Sequence, residues 1–186
     1  RPLLQNRTIE SQTIYSILID REGNTWLGTN GEGVFRINKS NNQIKQFVEL
    51  PADPSSLSGH IVRNIYQDYD GRIWLSSFDG GLNLFMGDSL GFKHFRHDPS
   101  NNSTLSSNLV LCTAHDTLNK ILWVGTRSGL NAMDLKTFAV RSYFTRDGLL
   151  NNIILGVLTY KQDVWISTYM GLSKYSHATK TFTSFY

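Results

Sequence analysis

Apolar and polar positions alternate in short bursts along the whole chain, and the stretch from residue 65 to 85, IYQDYDGRIWLSSFDGGLNLF, shows the pattern most clearly. Ile65 and Tyr66 close an apolar run, and Asp68 to Arg72 form a polar Asp/Gly turn. Ile73 to Ser77 make a second run around Trp74, and Asp79-Gly80-Gly81 turns the chain into Leu82 to Phe85. Runs of this length bounded by such turn residues predict three short strands in a meander. Helical periodicity is absent throughout: no stretch sustains apolar spacing at i, i+3 and i+4.

The same pattern recurs three more times. Tryptophans at 26, 74, 123 and 165 mark the copies, with spacings of 48, 49 and 42 residues. Around them stand NTWLGTNGEGVFRI, RIWLSSFDGGLNLF, ILWVGTRSGLNAMD and DVWISTYMGLSKYS. Each continues into a strand led by Gly33, Gly81, Gly129 or Gly171. A fourth run follows in each unit, such as QIKQFV or TFTSF. A period of roughly 40 to 50 residues carrying several short strands predicts a β-propeller of four-stranded antiparallel blades. The whole of 1–186 is then one propeller segment, with blades over about 13–50, 61–97, 109–145 and 153–186. The connectors LPADPSSLSGH and DPSNNSTLSSN nearly repeat each other and give a second period marker. The third unit has a longer first turn and the fourth a tighter one. In this topology the loop between the second and third strands shares a face with the connector to the next blade. These loops vary most between copies, which is where a repeated scaffold places recognition.

Composition narrows the classes. The chain is 40% hydrophobic with 12% aromatic residues, ordinary for a domain with a real core. Its net charge of +3 comes from scattered residues, so direct nucleic-acid binding and membrane-surface contact by this segment are not expected. Cys112 is the only cysteine and lies in the apolar run LVLCTA, which predicts a buried thiol acting as a small hydrophobe. No apolar run approaches the length of a membrane span, and no signal-peptide core is present.

The combination of SLS at 56–58 (TLS at 104–106), D-x-x-G-x-x-W (Asp20, Gly23, Trp26; Asp68, Gly71, Trp74), Gly-Thr (28–29, 125–126) and Gly-Leu-Asn (81–83, 129–131) resembles the two-component regulator propeller repeats. These occur in the extracytoplasmic sensor regions of hybrid two-component systems of Bacteroidetes. The third and fourth units depart from the D-x-x-G turn, and Ser76-Ser77 and Ser167-Thr168 replace Gly-Thr. The resemblance implies a periplasmic segment of an inner-membrane-anchored histidine kinase parent that senses oligosaccharides or another small ligand. It also implies neighbouring blades and sensor domains as partners, a homodimeric parent, and a partial, open propeller of about seven blades rather than a closed ring of four. No cofactor is expected.

Candidate binding residues follow from the repeat. The residue four places after each tryptophan is Asn30, Phe78, Arg127 or Tyr169: one structural position, four chemistries. Aromatic rings that stack on sugar C–H faces, with an amide and a guanidinium to read hydroxyls or a carboxylate, suit carbohydrate binding. His60, Asn108 and Asn152, just before inner strands on the same face, are secondary candidates. The tryptophans are expected to pack between blades and the D-x-x-G aspartates to form turns.

Catalysis and metal binding find little support. The Asp six residues before Trp misses the spacing of a neuraminidase-type Asp-box, and no His pair at i, i+4 or Cys/His cluster offers metal ligands. His94 and His97 read as solvated surface residues. The segment is therefore expected to be non-enzymatic. The rival is a propeller enzyme, such as a lyase resembling the streptogramin-inactivating propellers or one acting on polysaccharides, which would need His and Glu converging on the central channel.

Overall fold

Each tryptophan-centred unit folds into one four-stranded antiparallel sheet whose strands lie side by side in chain order. The computed structural model describes residue 9 and residues 13–185. Blade 1 contains β1 (Ile14–Ile19), β2 (Thr25–Thr29), β3 (Val34–Ile37) and β4 (Ile44–Phe47). Blade 2 contains β5 (Val62–Gln67), β6 (Ile73–Ser77), β7 (Gly81–Phe85) and β8 (Phe92–Phe95). Blade 3 is β9 (Val110–Asp116), β10 (Ile121–Thr126), β11 (Gly129–Asp134) and β12 (Val140–Tyr143). Blade 4 is β13 (Ile154–Tyr160), β14 (Asp163–Thr168), β15 (Gly171–Ser176) and β16 (Thr181–Phe185). Among the described residues one 3-10 turn, Thr145–Asp147, lies in the third connector.

The sheets fan out because their innermost strands pack in sequence: β1 on β5, β5 on β9, and β9 on β13. The fold is all-β, a run of propeller blades. Its core is three apolar layers, one between each successive pair of blades. Trp26, Val62, Ile65 and Leu75 fill the first, Trp74, Leu105, Val110 and Val124 the second, and Trp123, Ile154, Val164 and Tyr175 the third.

Period-2 alternation puts each indole on the face turned toward the following blade. Trp26 lies edge-on to Phe85 at 5.0 Å, Trp74 to Phe138 at 6.2 Å, and Trp123 sits 5.4 Å from Tyr175. All three are essentially inaccessible. Trp165 is the exception. It is half-buried and, among the described residues, its ring contact is with Phe185 of its own sheet. Its register partner Leu158 is 64% exposed, so the end of the arc presents an apolar face.

The D-x-x-G aspartates do more than turn the chain. Asp20 accepts backbone N–H groups from Glu22 and Asn24, and its Oδ2 also accepts the Trp26 indole N–H at 2.8 Å. Asp68 repeats this with Arg72 and with Trp74 at 2.9 Å. The extra residue in the third unit breaks the pattern. Asp116 stands seven places before Trp123, whose Nε1 is buried without a partner, and its Oδ2 lies 2.7 Å from His177 Nε2 of blade 4, a close approach without hydrogen-bond geometry. A bond within a blade has thereby become a contact between blades.

Candidate ligand-binding face

The glycine opening the third strand ties the two loop sets together. Gly33 N–H donates to the His60 carbonyl at 2.9 Å, Gly81 to Asn108 at 2.9 Å, and Gly129 to Asn152 at 2.7 Å. Each connector is therefore fastened to the 2–3 loop of the blade it leaves. Gly81 has φ +83°, and a β-carbon there would run into the Phe95 carbonyl, so the position requires glycine. A second fastening uses the Asn of Gly-Leu-Asn: buried Asn83 accepts from Ser58 N–H at 2.9 Å and donates to the Ser58 carbonyl at 3.1 Å. Asn131 accepts from Ser106 N–H at 2.8 Å, and in blade 4 Ser173 Oγ accepts from Leu150 N–H at 3.0 Å.

On this face the four variable residues occupy equivalent places. The backbone N–H groups of Asn30, Phe78, Arg127 and Tyr169 donate to the carbonyls of Thr13, Ile61, Leu109 and Ile153 at 3.0, 2.8, 3.1 and 3.0 Å. Each thus sits where its own inner strand begins. Asn30, Arg127 and Tyr169 are exposed, Tyr169 at 73%, and Phe78 is half-buried.

His60, Asn108 and Asn152 lie on the same face, but the two asparagines have structural work. Asn108 Oδ1 accepts from His97 N–H at 2.7 Å and Asn152 Oδ1 from Thr145 N–H at 2.9 Å. His60 is exposed, with Nδ1 3.4 Å from Glu49 and 3.6 Å from Asp79. Burial pushes the Asp79 carboxyl up, but the Ser77 hydroxyl and the His60 and Ile61 N–H groups outweigh it, and the group ends below the usual carboxylate range.

A further set of residues escapes the sequence pattern. Each inner strand carries a β-bulge against the second strand at its second residue: Tyr15, Arg63, Leu111 and Leu155. A bulge inserts one unpaired residue and re-aims its side chain. Tyr15, Arg63 and Leu155 are exposed, and the Arg63 guanidinium carbon lies 4.4 Å from the Tyr15 ring centre and 5.0 Å from that of Phe78. The signal was present in outline, since all four occupy the same place in the repeat, but a one-residue irregularity leaves no trace in apolar periodicity.

Of the two histidines expected to be solvated, His97 is exposed and His94 half-buried, and each also makes a ring contact with a connector carbonyl. His94 Nε2 lies 2.7 Å from the Ser56 carbonyl and His97 Nδ1 2.7 Å from the Leu105 carbonyl, each holding a connector. His94 reaches back to the first connector and His97 forward to the second. Burial pushes the Cys112 thiol up to about 12, which removes it as a nucleophile near neutral pH. Among the described residues no group of three or more His, Cys, Asp or Glu side chains could hold a metal ion. A groove of about 510 Å³ is lined by the second connector together with Arg141, Phe144 and Arg146, and includes none of the seven candidates.

The fold and the face define a β-propeller segment with a variable loop surface. Residues 8–31 and 56–79 match the family described as the two component regulator propeller. Among solved structures, it superposes on the extracellular domain described as that of a hybrid two component system, BT3049, from B. thetaiotaomicron. That match has a TM-score of 0.83 at 21% identity, covering 100% of this chain and 27% of the other. The extracellular domain of BT4673 from the same organism matches with a TM-score of 0.80 at 22% identity over 95% of this chain and 25% of the other. A virginiamycin B lyase from Staphylococcus aureus, solved with quinupristin, matches at 0.70 and 15% identity over 97% of this chain and 57% of that one. The chain spans about a quarter of the length of the two B. thetaiotaomicron domains. No curated protein matches it.

Proposed function

We propose that this segment is part of the extracytoplasmic sensor region of a hybrid two-component system, and that it takes part in recognising an oligosaccharide. The parent is membrane-anchored with this segment in the periplasm, and the signal passes on by rearrangement of neighbouring blades and domains, in a homodimer. The segment itself is non-catalytic. The observation that carries the reading is the array of Asn30, Phe78, Arg127 and Tyr169. One backbone position, fixed by the same hydrogen bond in every blade, is given a different side-chain chemistry each time. A scaffold needs no such variety, whereas reading a ligand with C–H faces and hydroxyls does. The repeats shared with two-component regulators support the setting.

Isothermal titration of the chain against a panel of oligosaccharides tests the reading. Heat release that is lost in Phe78→Ala and Tyr169→Ala is the expected result. Turnover of a polysaccharide or a streptogramin, with no saccharide binding, would replace the sensor by a propeller enzyme. Among the described residues the buried His115 is engaged through Nδ1 by Tyr69 N–H at 3.3 Å, which leaves little for such chemistry.

A further inference from the structure

We infer that Arg63 anchors an acidic group, carboxylate or sulfate, on the saccharide bound at this face. The assignment rests on the saccharide reading above and adds the substrate class. Arg63 is the bulged residue of β5 and is exposed. Its guanidinium packs against Tyr15 of the preceding blade and Phe78 of its own, at 4.4 and 5.0 Å from their centres.

Ring packing occupies the faces of a guanidinium and limits its rotamers, while its N–H donors point outward in the plane. No side-chain hydrogen bond or ion pair joins Arg63 to any described residue; Arg127, Arg141 and Arg146 share this, and the last two each pack on a single ring, whereas Arg63 lies between rings of two blades. Arg21 donates to the Asp68 carbonyl, Arg36 to Asp88, Arg72 to Asp68 and Asp70, and Arg96 to the Gly80 carbonyl. The nearest carboxylate in sequence to Phe78 is Asp79, and it is already satisfied by Ser77 Oγ and the N–H groups of His60 and Ile61. It forms no hydrogen bond or ion pair with Arg63. A cation held in place by two rings, with its donor fork free, is arranged for bidentate capture of an oxyanion. Phe78 then serves to hold the guanidinium in place.

The test titrates the chain with trigalacturonate, its methyl ester, a neutral galacto-oligosaccharide and a sulfated disaccharide. The expected result is binding of an acidic sugar, with the ester or neutral counterpart weaker by roughly tenfold or more, the range of one charge-assisted bond. Arg63→Gln should erase that preference while leaving the weak neutral binding in place, and Arg63→Lys should restore part of it. Preference for the uronate assigns the anion to carboxylate, and preference for the sulfated sugar assigns it to sulfate. Neutral and acidic sugars bound alike, or acidic binding unchanged in Arg63→Gln, would overturn the role of Arg63 and leave the saccharide reading standing. Silence with all four probes removes both. Arg63 is exposed, so unchanged thermal midpoints in both variants are expected and confirm that folding is not the cause.

Discussion

The buried carboxylates at residues 20 and 68 show how one side chain closes both a turn and a core. Asp68 is inaccessible and accepts from the Arg72 backbone, the Arg72 side chain and the Trp74 indole. Replacing it by Ala strands a buried indole N–H and removes one partner of the Arg72 guanidinium, which should cost roughly 3 kcal/mol by urea unfolding. A loss under about 1 kcal/mol would show the indole bond to be incidental. Asp20 carries a pH consequence. Burial raises its pKa, but bonds from Trp26, Asn24 and Glu22 outweigh that and leave it below the ordinary value. A depressed folded-state pKa gives stability that is present above the unfolded value, near pH 4, and lost as pH falls through the folded one. Asp79 has the same sign. Stability measured from pH 6 downward should hold to about pH 4 and then decline, with a smaller decline in Asp20→Asn.

At the scale of the element, the blade is a strand pattern completed by fastenings between loops. The strands follow from alternation and turn residues, and Gly-Leu-Asn was visible as a motif, yet the use of its asparagine was not. Asn83 meets Ser58 twenty-five residues earlier. Sequence spacing cannot reveal such a pair until the blades have been folded against each other. Asn83→Ala removes both bonds from a buried site and should cost about 2 kcal/mol. Gly81→Ala should cost more than about 1 kcal/mol, because a positive φ and a blocked β-carbon act together. Both are read from denaturation midpoints. The bulges belong to this scale as well. They place Tyr15, Arg63, Leu111 and Leu155 in one recurring position, and recurrence at a loop-bearing face is how a sheet re-aims residues toward a ligand.

For the whole molecule the arc has two kinds of tryptophan. Trp26, Trp74 and Trp123 are sealed between blades, whereas Trp165 looks outward beside Leu158 and Phe185. Trp74→Ala should cost the roughly 3 to 5 kcal/mol of a large core truncation. Trp165→Ala should cost less than half of that in this chain, by the same urea assay, and equal costs would mean that the apolar end is already covered. Exposed Tyr160 and Leu155 extend the same end. An open arc of blades is what the resemblance implied, and the four sheets, packed in sequence through their inner strands, show it.

The chain alone determined the strands, the repeat, the indole layers and the face on which variation is concentrated. All of these follow from local alternation, turn chemistry and a period that any fold of the chain must respect. Only the tertiary structure decided which polar groups meet: Asp116 with His177 across blades, His94 and His97 with connector carbonyls, and Arg63 with two rings from different blades. Those pairings depend on how far one sheet is rotated and shifted against the next. That geometry is set by the packing of whole side-chain layers, not by the spacing of residues along the chain.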